Sequence, residues 1–230
     1  MYISDSDNNK NIVKYYLYLL GLLSIGWITF FIIKLRDSFV TGGGKFDNIA
    51  INYVSSIRNH TLNKLVVIIS KSGDTITAII FTILVFMFFY IIRRKKEAWF
   101  YSITVLTIAI ISQVLKFIVK RPRPTGNWLV NIHGYSFPSG HSVLSMTAAL
   151  LIIYFVLTSF KNRGVSVILS ILIYIYGSSV GLSRVYVGVH YISDVVGGWT
   201  LATICVFISL LIFNKINDIE TTKDILKSKV

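Results

Sequence analysis

Long apolar runs separated by short, mostly basic joints fill the chain from Tyr15 to Phe213. A run of about 20 apolar residues is long enough to cross the hydrocarbon core of a bilayer as a helix. Six stretches are expected to do so: Tyr15–Ile33, Leu65–Ile92 (strongest after Asp74), Ala98–Val119, Val143–Phe160, Val165–Leu182 and Tyr191–Phe213. The first is too long for a signal-peptide core and lacks a small-residue cleavage site, so it reads as a retained span. After it, Phe46, Ile49, Ala50, Tyr53, Val54 and Ile57 recur at helical spacing. That predicts a short amphipathic helix on the outer membrane surface. The preceding Gly42-Gly43-Gly44 is followed by no Lys-Ser/Thr pair, so it reads as a flexible turn rather than a nucleotide loop. The polar ends, Met1–Asn11 and Asn214–Val230, read as loosely ordered. The expected fold is all-α: a six-transmembrane-helix bundle with a short amphipathic surface helix, one integral membrane domain over residues 1–230.

Composition supports a lipid solvent. Of the residues, 54% are hydrophobic and 14% charged, where soluble proteins carry about a quarter as Asp, Glu, Lys or Arg. Mean hydropathy is +0.68. The net charge of +13 sits in short clusters between apolar runs, a poor footprint for nucleic acid and a good one for anionic lipid or an anionic substrate. Cys205 is the sole cysteine, which excludes an internal disulfide. Six spans put both termini on one side, together with Arg93-Arg94-Lys95-Lys96 and Lys161-Asn162-Arg163. Short loops rich in Lys and Arg favour the cytoplasm, so the termini are expected inside and the loop after Val119 outside.

Three segments carry candidate chemistry near the outer ends of the spans. Lys116 lies in the last turn of one span, and Pro122 and Pro124 end that helix. Pro138-Ser139-Gly140-His141 precedes an apolar helix, whose start offers unpaired N–H groups to an anion. Ser139 supplies a hydroxyl or a cap, and His141 a proton near neutrality. In Ser183-Arg184-…-His190-…-Asp194, the last two lie four residues apart and share a face if helical. A carboxylate accepting one imidazole N–H leaves the other nitrogen free to attack.

Together these segments resemble the type 2 phosphatidic acid phosphatase superfamily. Its pattern is Lys, six residues, Arg-Pro; then Pro-Ser-Gly-His; then Ser-Arg, five residues, His, three residues, Asp. Lys116 to Arg123-Pro124 fits the first part, whereas the nearer Arg121-Pro122 does not, and Pro138–His141 and Ser183–Asp194 match at every fixed position. The resemblance implies a six-helix membrane phosphatase in which Lys116, Arg123, Ser139, Gly140 and Arg184 bind phosphoryl oxygens. His190 would attack phosphorus, oriented by Asp194, and His141 would protonate the leaving oxygen and then activate water. It implies a lipid phosphate as substrate, with undecaprenyl diphosphate and phosphatidylglycerol phosphate favoured. No carboxylate cluster suited to Mg²⁺ accompanies the motifs, so neither a metal nor another cofactor is expected. The competing classes are a phosphotransferase with the same chemistry, a non-catalytic lipid binder or transporter, and the soluble vanadate-dependent haloperoxidases of the same fold family. The six apolar runs count against the last, and the His190, Asp194 and His141 set against a pure binder. His133 and Tyr135 are candidate head-group contacts. Asp74 pairs with a site cation or caps its helix, the cap being the favoured reading; His60 is expected to be a loop residue, and Trp128 and Trp199 interface or packing aromatics.

Overall fold

A computed structural model describes residues 3–30 and 43–227, with side chains described from Asn11 to Ile219. The Phe31–Ile33 edge of the first expected span and Gly42 of the glycine turn lie outside the described residues. Among the described residues there are eight helices and no strand: α1 (Ile3–Phe30), α2 (Lys45–Ile57), α3 (His60–Lys71), α4 (Thr75–Ile91), α5 (Lys95–Val119), α6 (Gly140–Ser159), α7 (Arg163–Tyr186) and α8 (Ile192–Lys227).

Asn11–Phe30 of α1, α5, α6, α7 and Ile192–Ile219 of α8 are each long and apolar enough to cross a membrane. The count is five, or six if α3 and α4 form one bent span. The sequence suggested an unbroken run from Leu65 to Ile92. Instead the chain bends by 52° between α3 and α4. At the break, the N–H groups of Ser72, Gly73 and Asp74 close onto the carbonyls of Ile68, Ser70 and Lys71 at 3.1 Å. Gly73 is required there, since a Cβ would stand 2.4 Å from Val180 Cγ1 and 3.0 Å from the His141 ring. Hydropathy does not register such a contact, which is why the run looked continuous.

The described tails are also helical where a loose chain was expected. Once a span has nucleated, each further residue adds a hydrogen bond at little cost, and α1 begins at Ile3 while α8 runs to Lys227.

Helix α6 is the axis of the bundle. It packs most extensively against α7, then α8 and α5, and Val143, Met146, Leu150, Leu151 and Ile153 are all buried. From α1, Tyr16 reaches in to donate its hydroxyl to the Leu150 carbonyl at 2.7 Å. The outward faces of α1, α4, α5 and α7 carry large exposed apolar side chains such as Leu22, Ile83, Phe117 and Ile171, a surface suited to lipid. At one end of the bundle the two basic joints meet, where Arg94 Nη1 donates to Ser159 Oγ at 2.7 Å. At the other end α5 stops at Lys120, which takes left-handed backbone (φ 49°). The loop from Lys120 to Ser139 then folds back over the ends of α6 and α8.

Candidate active site

Helix α7 ends at Tyr186, and a turn through Gly188, itself at φ 86°, carries the chain to His190 before α8 begins. The N–H groups of Val189 and His190 both donate to the Arg184 carbonyl, at 3.2 and 3.3 Å. The imidazole is therefore fixed by backbone on one side and by Asp194, one turn into α8, on the other. His190 is 1% exposed and Asp194 is fully buried.

The ring proton of His190 can be placed from its partners. Arg123 Nη1 lies 3.0 Å from His190 Nε2, and a guanidinium only donates. Nε2 must therefore accept, which puts the proton on Nδ1. Nδ1 in turn faces Asp194 Oδ2 and Ser136 Oγ, each at 3.3 Å. Burial holds the His190 pKa down, to about 3, with Arg123 and Lys116 adding to the effect and Asp194 opposing it. The ring is thus a neutral base at physiological pH, its lone pair turned towards a cation.

The carboxylate behind it is clamped from several directions. Asp194 Oδ2 also accepts from Tyr191 N–H at 2.9 Å and from the Ser136 hydroxyl in a short bond. Its Oδ1 accepts from Arg121 Nη1 at 2.7 Å. Arg121 itself is buried, donating from Nη1 to Ser193 Oγ at 2.6 Å and from Nη2 to Asp47 Oδ2 at 2.8 Å. The guanidinium also lies 4.2 Å over the Tyr191 ring.

The remaining motif residues lie on the elements that meet beside His190 and Asp194. Lys116 Nζ donates to the carbonyls of Pro138 at 2.6 Å and Tyr135 at 3.1 Å. Arg123 donates to the carbonyls of Gly134, Val189 and Tyr135 at 2.9, 2.8 and 3.1 Å. Burial lowers the Arg123 pKa and Asp194 opposes the shift. Arg184 Nη1 reaches Ser70 Oγ through a short bond. Tyr135, like His133, meets Arg123 through its carbonyl. Ser139 is fully buried, and its hydroxyl caps α6 by accepting from Ser142 N–H at 3.4 Å and Ser142 Oγ at 2.9 Å. A Cβ on Gly140 would meet nothing within 4 Å, so the start of α6 faces open space. His141 Nε2 pairs with Asp74 Oδ1 at 2.9 Å. A cavity of about 630 Å³ opens here, lined among others by Ser70, Asp74, Asn131, His141 and Arg184.

Four residues in this arrangement escaped the sequence patterns: Asp47, Arg121, Ser136 and Ser193. Of the two roles weighed for Asp74, the favoured one does not hold for the side chain, which makes no cap hydrogen bond and turns to the site residue His141. Arg121 was set aside on spacing alone, and it stands behind the dyad where Arg123 stands in front. Trp199 packs inside the bundle, 5.7 Å from Trp27. Among the described residues no group of three or more His, Cys, Asp or Glu side chains is placed to hold a metal ion.

The sequence profile of the PAP2 superfamily matches residues 97–218, the stretch that carries His141, His190 and Asp194. The chain belongs to the PAP2 superfamily. Within it, this PAP2 chain is 33% identical over 126 residues to phosphatidylglycerophosphatase B of Bacillus subtilis, an alignment covering 53% of this chain and 60% of that protein. It is 30% identical over 198 residues to the undecaprenyl-diphosphatase of Sulfolobus acidocaldarius, covering 81% of this chain and 90% of that one. In fold it is similar to the crystal structure of the transmembrane PAP2 type phosphatidylglycerolphosphate phosphatase from Bacillus subtilis, with a TM-score of 0.67 and 24% identity over 87% of this chain and 96% of that one. Aquifex aeolicus LpxE is also similar in fold, with a TM-score of 0.56 and 24% identity over 70% and 92% of the two chains. The homologues of this PAP2 membrane protein are lipid phosphatases, enzymes that hydrolyse phosphate esters.

Proposed function

We propose that the chain removes the terminal phosphate from a lipid phosphate or diphosphate through a phosphohistidine intermediate, without a metal. The observation that carries this reading is the polarity of His190: Nδ1 tied to Asp194, and Nε2 with its lone pair facing Arg123. An incoming phosphoryl group competes for Arg123, and its oxygens are held by Lys116, Arg123, Arg184 and the first N–H groups of α6 at Gly140 and His141, with Ser139 capping that helix. Arg121 adds no net positive charge, because two carboxylates already neutralise it. Three cations then face one phosphoryl group, and stabilising its transition-state charge is where most phosphoryl-transfer catalysis lies.

His190 Nε2 forms a bond to phosphorus as the bond to the leaving oxygen breaks. His141 gives that oxygen a proton, worth roughly 10²–10⁴-fold in rate. The imidazolium left on His190 is compensated by Asp194. His141 then takes a proton from water, which attacks phosphorus, breaks the P–N bond and frees inorganic phosphate.

A lipid suits the site because an apolar cavity of about 420 Å³ adjoins it across Gly73, between α4, α5, α6 and α7. Phosphatidylglycerol phosphate and undecaprenyl diphosphate are the favoured substrates, in line with the named relatives. With α3 and α4 counted as one span, six spans place both termini and the paired basic joints in the cytoplasm. The site then opens outside, and α2 lies on the outer surface with Phe46, Ile49 and Tyr53 in lipid.

The test is phosphate release by purified protein from each of the two lipids, beside His190→Ala and with excess chelator. Release by wild type, undiminished by chelator and reduced to background in the variant, is expected. Release by the variant at the wild-type rate sinks the nucleophile assignment, and label passed to an acceptor other than water identifies a transferase.

A further inference from the structure

Asp47 has no part in the chemistry just described, and it comes from α2, which holds none of the motif residues. On that helix Phe46, Ile49 and Tyr53 are exposed, at 40%, 58% and 64%, while Asp47 is 0% exposed. Its carboxylate is spent entirely on the nucleophile's surroundings. Oδ1 accepts from the Ser193 N–H at 3.0 Å, and Oδ2 from the Ser193 hydroxyl and Arg121 Nη2, both at 2.8 Å.

Burying such charges is a poor way to glue helices, because desolvation offsets much of the attraction. The geometry accomplishes something more specific. Arg121 spreads its two terminal nitrogens over two carboxylates, one on α2 and one on α8, and so takes Asp194 by Oδ1 alone. Oδ2 is left for His190. The charges follow the same logic. Arg121 with Asp194 alone would form a neutral pair, with nothing left over for a cation on His190. Among the described residues, adding Asp47 brings two carboxylates to Arg121, a net negative charge that the imidazolium formed during attack then balances.

We propose that Asp47 is a positioning residue for the nucleophile, acting through Arg121 and Ser193 to keep Asp194 Oδ2 turned to His190 Nδ1. This rests on His190 being the nucleophile, and one of its tests does not depend on any substrate.

Full-length protein in detergent, with ring-¹⁵N histidine, reports the tautomer of His190, whose signals are those missing in His190→Ala. Wild type is expected to hold one tautomer, protonated on Nδ1, and Asp47→Asn to populate both. Turnover of the lipid phosphate should fall on the order of 10²-fold in kcat, the cost of a small misplacement of a reacting group, with KM little changed. Binding of inorganic phosphate, measured by calorimetry, should persist, since Lys116, Arg123 and Arg184 are untouched. Arg121→Lys keeps the charge without the planar fork and should resemble Asp47→Asn. If Asp47→Asn does not fold, Ser193→Ala carries the same readouts with a smaller shift.

A single unchanged tautomer with wild-type kcat in the variants overturns the proposal. So does loss of tautomer, turnover and phosphate binding together, which would make Asp47 a support of the fold only. Wild type that releases no phosphate would sink the functional reading, while the ring nitrogens would still decide the role of Asp47.

Discussion

Asp74 stands at the head of α4, where a helix cap is expected, yet its carboxylate meets His141 Nε2 at 2.9 Å. A carboxylate accepts the Nε2 proton there and so holds the ring in one orientation for proton transfer to a leaving group at Nδ1. Asp74→Asn is expected to slow alkyl lipid phosphates by roughly 10²-fold, the low end of what a general acid contributes. An aryl phosphate such as p-nitrophenyl phosphate leaves without that help, so its turnover should change far less. Equal losses on both would show that Asp74 does not act through the departing oxygen. His190 gives a second expectation. Its pKa lies below the unfolded value, so the unfolded chain binds more protons between the two. The stability it contributes is complete above about pH 6.5 and is lost progressively as pH falls towards the folded value. The melting temperature of wild type should therefore drop more than that of His190→Gln between pH 7.5 and pH 5, and parallel curves would refute the assignment.

Elements were legible where their signal is local. Five apolar helices declared themselves by length, and the motif residues by spacing that one helix or one turn can satisfy, as with His190 and Asp194. Asp47 and Arg121 belong to different elements, and the contact between them is a product of packing. One sign of it was in the sequence: Asp47 falls on the same helical face as Ala50 and Val54, where a carboxylate in a chain with only 10 acidic residues needs a partner. The break between α3 and α4 was invisible because it depends on what Gly73 touches. Gly73→Ala should cost about 1–3 kcal/mol through overpacking against Val180, read as a lower melting temperature. Val180→Ala should recover part of it in the double variant. If Gly73→Ala melts like wild type, the close approach is not what bends this span.

At the scale of the whole molecule, the break also sets a depth. Helix α4 has 17 residues, which at 1.5 Å per residue is about 25 Å, less than the roughly 30 Å hydrocarbon core of an ordinary bilayer. Asp74 marks its N-terminal end, with His141 beside it. If the Ile91 end of α4 sits at one boundary of the hydrocarbon, these groups stand short of the opposite one. The protein and the bilayer must then settle on a common hydrophobic thickness, the sheet thinning around the site or the lipid phosphate sinking to meet it. Reconstituted into short-chain phosphatidylcholine vesicles, the enzyme should turn over faster than in long-chain ones at equal substrate fraction. The thickness of the surrounding membrane thereby becomes a determinant of rate that acts without binding to the protein at all.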